Sequence, residues 1–472
     1  MKRSIILGSL SLAVLSSPVT AQEADAKPVK VYILAGQSNM VGIGQVTGGG
    51  SRWGSEFIDP TVSVYEGEYD PKADYDSLKP VKEVKLEKFG GVSPTPYPGG
   101  GTQVVRGSIE MKAAGVYEFR PGYGGSTHNI MVVDGKEVHR KEVGKESVHT
   151  PIKLEAGKKV PFKITYLTGD AGGLGWYARL DIPGTLSTVV KENGKFPFLV
   201  DGEGNWTERN DVWYKGVVTA TADKWLSVGC GAGGNNIGPE LGFGHIVGDF
   251  HDEPVLILKA SQGNRSLAWD FLPPGSERYE VDGTVYAGYK DSPASWEKGS
   301  EPEKINWYAG KQYDDCFGAA KVVLQNFDNE FPQWKGRGYE IAGFGWWQGH
   351  KDQGSEVYAA RYEQNLVHLI KTLRREFQAP EAPFVVATIG FGGWEMAGDA
   401  VTVANAQLAV SGEKGKYPEF KGNVKTVETR DFWRPVDQSP KAQDFHYNQN
   451  AETYMLVGQA MGNGMLSLLQ GD

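Results

Sequence analysis

Hydrophobic residues from about residue 195 onward recur at spacings that predict alternating strands and helices. Short apolar runs indicate buried strands, and apolar residues three or four apart over 358–377 indicate a helix with one apolar face. The predicted strands are 225–228, 255–258, 341–346 and 383–389, and the predicted helices are 314–327, 358–377, 451–469 and one that begins at Pro239. Strands that alternate with helices are typical of a parallel sheet covered on both faces.

The earlier part of the chain has a different pattern. Residues 30–35 form an apolar run that predicts one more buried strand. Residues 60–190 instead contain short alternating runs between glycine and proline turns, which is typical of antiparallel strands. We therefore predict an α/β domain made of 29–58 and 190–472, interrupted by an all-β sandwich over 60–190.

The first 21 residues have the pattern of a secretory signal peptide. Lys2 and Arg3 precede an apolar stretch over 5–15, and the small residues 19–21 form a cleavage site. The apolar stretch is shorter than the roughly 18 residues needed to span a membrane. We expect an exported protein, periplasmic or secreted, whose mature chain starts near Gln22.

Composition excludes some partners and leaves others open. The 49 Lys and Arg against 58 Asp and Glu give a net charge of −9, so no global attraction to nucleic acid or to an anionic membrane is expected. Cys230 and Cys316 are too few for a four-thiolate zinc site, and the sequence does not say whether they form a disulfide. We expect no metal or organic cofactor, and the oligomeric state stays open.

Ser38 is a candidate nucleophile. It follows the predicted strand 30–35 directly, in the turn 36–40, Gly-Gln-Ser-Asn-Met. Open α/β sheets bind their ligands at the carboxyl ends of the strands, where such a turn would place the hydroxyl. A serine in this position could also merely cap a helix. The G-x-S-x-G pattern is absent because Met40 occupies its last position.

Three later segments contain groups that a serine nucleophile needs. His446 can accept the serine proton, and Asp444 can orient the imidazole. The backbone N–H of Gly238, before a predicted helix, and the side-chain amide of Gln348, after a predicted strand, can donate to an oxyanion. Each segment taken alone is also typical of an ordinary loop or helix cap.

In their order along the chain, the four segments resemble the SGNH hydrolase superfamily. More narrowly, they resemble its sialate O-acetylesterase branch, which is related to carbohydrate esterase family six. The matching segments are 36–40, 237–244, 346–352 and 444–446. The resemblance implies a three-layer α/β/α fold and hydrolysis of acetyl esters on carbohydrates without a cofactor. It implies Ser38 as nucleophile, His446 as base and Asp444 as its orienter. The implied oxyanion donors are the N–H groups of Ser38 and Gly238 and the amide of Gln348.

The sequence departs from this branch at two places. His350 stands where the branch usually has Glu, and it is either a substrate contact or a structural histidine. Asp444 precedes His446 by two residues instead of the superfamily's more general three, and Asp437 and Glu452 are the alternative orienters.

Three further residues near the motifs are candidate substrate contacts. Gln37 and Trp347 flank the proposed site, and Arg265 could hold a sugar hydroxyl or the carboxylate of an acidic sugar. An ion pair of Arg265 with a neighbouring carboxylate is the alternative.

The β-rich segment resembles the protective-antigen-type β-sandwich that accompanies many glycan-active enzymes. The resemblance rests on the segments 114–119, 133–136, 154–159 and 172–176. The paired aspartates that bind calcium in that family are not evident near 124–128, so we predict no metal there. The segment either binds sugar or serves as a lid or spacer.

Together these observations predict an exported carbohydrate O-acetylesterase that acts through an acyl-enzyme on acetylated oligo- or polysaccharide. The alternative is a glycan-binding protein whose hydrolase core has lost activity, which the His350 departure and the inserted sandwich motivate. The sequence identifies neither the sugar nor the position of its acetyl group.

Overall fold

A computed structural model of the protein describes residues 27–48, 50–67, 70, 72–86, 102–121, 128–167 and 175–471. The predicted signal peptide, 1–21, lies outside these residues, as does most of the segment 124–128, where no metal is expected. The described chain combines helices with several sheets, so the predicted α/β class is confirmed.

The larger hydrophobic core surrounds a seven-stranded sheet. Its strands lie in the order Asp223–Ser227, Glu208–Gly216, Val255–Ser261, Val29–Gly36, Tyr339–Trp347, Phe384–Ala387 and Val424–Val427. Six strands run parallel, and the edge strand Asp223–Ser227 is antiparallel to its neighbour. Val29–Gly36 is the middle strand and is almost wholly buried, which the apolar run 30–35 predicts.

Helices follow most of the parallel strands. Their bounds are Ser38–Val41, Pro239–Phe250, Lys311–Gln325, Phe327–Glu330, Glu356–Glu376, Asp399–Ala409 and Ala451–Gln470. Pro239–Phe250 and Ala451–Gln470 touch backbone to backbone. A Cβ added at Gly458 would lie 2.2 Å from the carbonyl oxygen of Pro239, and one at Gly242 would lie 2.5 Å from that of Met455. This contact fixes the two helices that begin beside Gly238 and after His446.

A second hydrophobic core lies between two antiparallel sheets. The larger has the order Val148–His149, Lys136–Lys141, Asn129–Val133, Lys159–Leu167, Thr102–Glu110, Phe57–Tyr65 and Lys82–Lys85, and the smaller Ile152–Leu154, Gly115–Arg120, Trp176–Arg179 and Gly50–Arg52. Phe57 and Phe162 of the larger sheet pack with their ring centroids 5.3 Å apart, and Phe119 of the smaller sheet lies 6.4 Å from Phe57. The two sheets therefore face each other.

The chain enters and leaves these antiparallel sheets at neighbouring points. The Ser187 N–H donates to the carbonyl oxygen of Val46 at 2.9 Å. Two small sheets complete the strands of the described chain: Gly44–Gln45 with Asn236–Ile237, and Tyr279–Val281 with Thr284–Tyr286 and Ser295–Glu297. The first small sheet brings Gly42 against Gly238, where a Cβ on Gly42 would meet the Gly238 nitrogen at 2.5 Å.

Cys230 and Cys316 are both buried free thiols, so they form no disulfide with each other. Burial raises the pKa of the Cys230 thiol to about 11. Over the described ranges, no helix has the length and apolar character needed to cross a membrane.

Candidate functional site

The carboxyl edge of the parallel sheet collects the residues that the motifs single out. Ser38 follows the middle strand, Gln348 follows the next strand on one side, and Arg265 follows the strand on the other side. Ligand sites of open α/β sheets lie at this edge. The proposed nucleophile therefore sits between the loops that carry the other candidates.

Ser38 lies in a turn that has no room for a side chain at position 36. A Cβ on Gly36, whose φ is +152°, would lie 2.1 Å from the Trp347 carbonyl oxygen. The Ser38 side chain is nearly buried, at 8% exposure, and a Cβ on Gly263 would lie 3.7 Å from its Cβ. Among the described residues, none of the hydrogen bonds involves the Ser38 hydroxyl.

Gln37 fastens this turn to the neighbouring loop. Its Oε1 accepts hydrogen bonds from Gln348 Nε2 at 3.1 Å and from the N–H groups of Gly349 and Lys351 at 3.2 Å each. Gln37 is 2% exposed. The sequence predicts a substrate contact here, but the structure uses this amide oxygen to hold two loops together.

The side-chain amide of Gln348 already has hydrogen-bond partners within the protein. Its Nε2 donates to Asp352 Oδ2 at 2.6 Å, to the Arg265 carbonyl at 2.9 Å and to Gln37. Its Oε1 accepts from the Tyr362 hydroxyl at 2.9 Å. The predicted donation to an oxyanion is therefore not available in this arrangement, because it would require Gln348 to exchange one of these partners.

Gly238 is held in a similar way. Its N–H donates to Glu240 Oε1 at 2.8 Å, and the other oxygen of that carboxylate pairs with Lys259 Nζ at 2.5 Å. Glu240 and Lys259 are both completely buried, and burial lowers the pKa of Lys259. The N–H predicted as an oxyanion donor thus serves a buried ion pair in this arrangement.

Trp347 is also an interior residue. It is 1% exposed, and its Nε1 donates to the Thr388 carbonyl at 3.1 Å. Its ring packs 5.2 Å from that of Tyr447. A side chain enclosed in this way cannot touch substrate, so the predicted contact through Trp347 is not formed in this arrangement.

Arg265 lies at the edge of the site and is partly exposed. Its Nε donates to Gln312 Oε1 at 3.0 Å, and its guanidinium lies 4.7 Å from the centroid of the Trp307 ring. The carboxylate of Asp270 is 4.0 Å away. Both alternatives from the sequence, a ligand contact and an ion pair, are compatible with this position.

The structure does not bring Asp444 to His446. The Nδ1 atom of His446 is buried and has no hydrogen-bond partner in the described residues, while Asp444 is exposed. Both residues lie in the turn Asp444–Gln449, whose backbone departs from helical geometry at His446, with φ −120° and ψ 29°. In this arrangement the Asp444 carboxylate does not hold the His446 ring.

Neither alternative orienter takes its place. Glu452 instead pairs with Lys195 and Arg434, each at 2.8 Å, and Asp437 is exposed. In the described chain, His446 thus has no carboxylate partner.

His446 is in the neutral form that a proton acceptor requires. Burial, with a smaller effect of neighbouring His350, lowers its pKa to about 4, so the ring is neutral at neutral pH. Phe445 packs against both rings, with centroids 4.3 Å from His446 and 5.3 Å from His350. Burial also lowers the pKa of His350, whose other face meets Phe391 at 5.2 Å.

Asn39 links the serine turn to the histidine turn. Its Nδ2 donates to the Phe445 carbonyl at 3.3 Å, and its Oδ1 accepts from the Tyr454 hydroxyl at 2.9 Å. That hydroxyl also lies 3.3 Å from the His446 carbonyl oxygen. The sequence analysis did not assign a role to Asn39, although its place directly after Ser38 in the motif was a signal for one.

Metal-ligating side chains of the described residues do not cluster at this site. Among the described residues, no group of three or more His, Cys, Asp and Glu side chains could hold a metal ion.

A neutral histidine and a serine turn at the carboxyl edge of a parallel sheet are groups that a serine hydrolase needs. Residues 291–467 match the family described as carbohydrate esterase, sialic acid-specific acetylesterase. The match confirms the resemblance to carbohydrate esterases over this segment, and the chain is a carboxylic ester hydrolase. Gln348 and His446 lie in the matched segment, whereas Ser38 precedes it.

Comparisons with solved structures give weaker likenesses, over larger parts of the chain. A search of curated proteins finds no match. A carbohydrate acetylesterase from Xanthomonas citri is 13% identical with a TM-score of 0.36, over 79% of this chain and 72% of that one. A protein from Arabidopsis thaliana is 15% identical with a TM-score of 0.34, over 56% and 88%. A family two carbohydrate esterase from Clostridium thermocellum, in complex with cellohexaose, is 11% identical with a TM-score of 0.27, over 79% and 94%.

Proposed function

We propose that the protein is an exported carbohydrate O-acetylesterase in which Ser38 is the nucleophile and His446 the base. The observation that carries this proposal is the link through Asn39, which holds the Ser38 turn and the His446 turn together at one sheet edge. The family match over 291–467 supports an acetylated carbohydrate as the substrate.

The proposed reaction is acyl transfer in two halves. The Ser38 hydroxyl oxygen attacks the acetyl carbon while His446 takes the hydroxyl proton. His446 returns that proton to the leaving sugar oxygen, which leaves an acetyl group on Ser38. Water then repeats the sequence and releases acetate. Because Nδ1 of His446 is buried, its other ring nitrogen is the one that serves Ser38.

Stabilisation of the oxyanion starts from the N–H of Ser38. The first N–H groups of a helix have no partner inside the helix, and Ser38 is the first residue of Ser38–Val41. Gly238 and Gln348, the other two donors implied by the resemblance, would join after exchanging their present partners. Asp444 would likewise have to turn toward His446 to complete a triad, so the arrangement favours a serine–histidine pair.

The fold that we propose is a three-layer SGNH-type core with an inserted β-sandwich. The order of the parallel sheet, with Val29–Gly36 in its middle, supports the first part of this proposal. The two facing antiparallel sheets between Val46 and Ser187 support the second. For the predicted signal peptide, N-terminal sequencing of protein recovered outside the cytoplasm tests cleavage after residue 21.

Acetate release tests the activity. Purified wild type should release acetate from acetylated xylan or from O-acetylated sialic acid, and Ser38→Ala should not. Ser300→Ala, which alters an exposed serine in a turn, is the matched control and should keep wild-type release. Wild-type acetate release by Ser38→Ala would contradict the proposal.

A glycan-binding protein without activity is the second candidate. The observations that favour it are the exposed Asp444 and the occupied amide of Gln348. A serine-reactive phosphonate separates the two candidates. Labelling of Ser38 supports the esterase, whereas tight glycan binding without labelling supports the alternative.

A further inference from the structure

Trp394 is exposed beside the proposed site. It lies in the turn Gly393–Glu395, after the strand Phe384–Ala387, and its side chain is 62% exposed. Tryptophan side chains are highly buried on average, so a ring this exposed is uncommon.

The Trp394 ring is held in one orientation. Its Nε1 donates to Asp431 Oδ1 at 2.6 Å, and the Arg430 guanidinium lies 4.1 Å from a ring centroid. Arg430 is itself fixed by two hydrogen bonds to Glu428, of 2.9 and 2.6 Å. We call Trp394, Arg430 and Asp431 the Trp394 platform. Because the ring is already fixed, a ligand that stacks on it does not have to immobilise the side chain.

The platform is tied to the histidine turn. Gly390 N–H donates to the Tyr447 hydroxyl at 2.8 Å, and Phe391 packs 4.7 Å from the Tyr447 ring. Phe391 also packs 5.2 Å from the ring of His350. Phe384–Ala387 lies two positions from Val29–Gly36 in the sheet, about 10 Å away, and Arg430 and Asp431 follow Val424–Val427, one strand further out. The platform therefore lies to one side of Ser38.

The chemistry of the platform matches a sugar ring. A pyranose presents a flat face of C–H groups to an aromatic ring and keeps its hydroxyls at the rim, where charged side chains can bind them. Arg430 lies over one face of the Trp394 ring, so the other face is the one offered to a sugar, and Asp431 lies at the Nε1 edge of the ring. A nucleobase would also stack on the ring, but the net charge of −9 disfavours a polyanion.

We propose that the Trp394 platform binds a sugar residue of the substrate chain, next to the sugar that carries the acetyl group. This inference rests on the proposed esterase function, since it makes the substrate an oligo- or polysaccharide. The platform selects chains over free acetylated monosaccharides.

Binding of sugars without acetyl groups tests the platform independently of catalysis. Calorimetric titrations use the mature protein with the hexasaccharides of xylose, glucose, mannose and N-acetylglucosamine. We expect wild type to bind at least one of them, and Trp394→Ala to bind it about tenfold more weakly, equivalent to about 1.4 kcal/mol. Trp394→Phe, which keeps an aromatic face but loses the hydrogen bond to Asp431, should bind with intermediate affinity.

Tyr339→Ala is the matched control. Tyr339 is 39% exposed and begins the strand Tyr339–Trp347, at the edge of the sheet opposite the site, so its removal should change the affinity by less than twofold. Equal affinities of Trp394→Ala and wild type, or no binding of any hexasaccharide by wild type, would overturn the inference. Thermal melting verifies that each variant is folded. Failure of the esterase proposal would show separately, as an absence of acetate release.

Discussion

The pKa of His446 sets the lower pH limit for the activity of the proposed esterase. Burial, helped by neighbouring His350, holds the pKa of His446 at about 4, below the ordinary value of about 6.5. At pH 5.5 a base with a pKa of about 4 is about 97% neutral, whereas one with the ordinary pKa is only about 9% neutral. A general base must be neutral to accept a proton, so kcat/KM should stay nearly constant from pH 8 to 5.5 and fall about tenfold per pH unit below 4.

His350→Glu is the perturbation that tests the cause. A carboxylate a few ångströms away stabilises the protonated imidazole and raises its pKa by about 1–3 units. The acid limb of the kcat/KM profile should therefore move upward from about pH 4 to between about pH 5 and 7. His350→Gln is the control, since it is neutral at every pH, and it should move the limb by less than about one unit.

The assay is acetate release from a small aryl acetate, followed with a coupled acetate reaction from pH 3.5 to 8. This substrate is too small to reach the Trp394 platform, so the profile reports on the ionisation of the site. A wild-type limb near pH 6.5 would show that burial does not depress the pKa of His446. An unmoved limb in His350→Glu would show that His350 does not act on the base.

Three further predictions concern the positions of single groups. Asp444→Ala should lower kcat less than tenfold on the same aryl acetate, whereas His446→Ala should lower it at least about 100-fold. Equal losses in the two variants would show that Asp444 acts together with His446 in a triad. Lys259→Met leaves a buried carboxylate unpaired and should lower the free energy of unfolding in urea by about 3–5 kcal/mol, and an unchanged midpoint would contradict a buried ion pair. Gly36→Ala should lower the free energy of unfolding by at least about 2 kcal/mol, because the added Cβ would clash with the Trp347 carbonyl oxygen. Gly157→Ala, at a φ of +68° and with no atom within 4 Å of the added Cβ, should lower the free energy of unfolding by about 1 kcal/mol, and equal losses in the two variants would refute the clash.

The parallel sheet could be predicted largely from apolar runs, except for the strands Glu208–Gly216 and Val424–Val427. The strand Val255–Ser261 is buried at every position, so its run stands out from the sequence. Glu208–Gly216 begins with alternating exposed residues and becomes buried only at every second position, a weaker signal that the analysis did not assign. Val424–Val427 has one buried residue of four, and the sequence gives little reason to distinguish it from a loop.

The location of the site could be predicted, whereas its hydrogen-bond partners could not. Ser38, Gln348 and Arg265 reach the sheet edge because each follows a strand, which is a local property of the sequence. The partners of Gln348 come from three separate segments, so only the fold brings them together. Asp444 shows a different limit, since its position relative to His446 depends on a turn whose backbone is not helical at His446.

The adjacency of Val46 and Ser187 bears on how this chain could have arisen. The two residues are joined by a 2.9 Å hydrogen bond, so about 140 residues leave the parallel-sheet region and return to almost the same point. A loop whose ends already meet can accept a folded unit without displacing its neighbours, and lengthening it adds little closure entropy. A single insertion into an ancestral gene would suffice to add the antiparallel sheets, and the same junction is the natural place to exchange them for another module in an engineered enzyme.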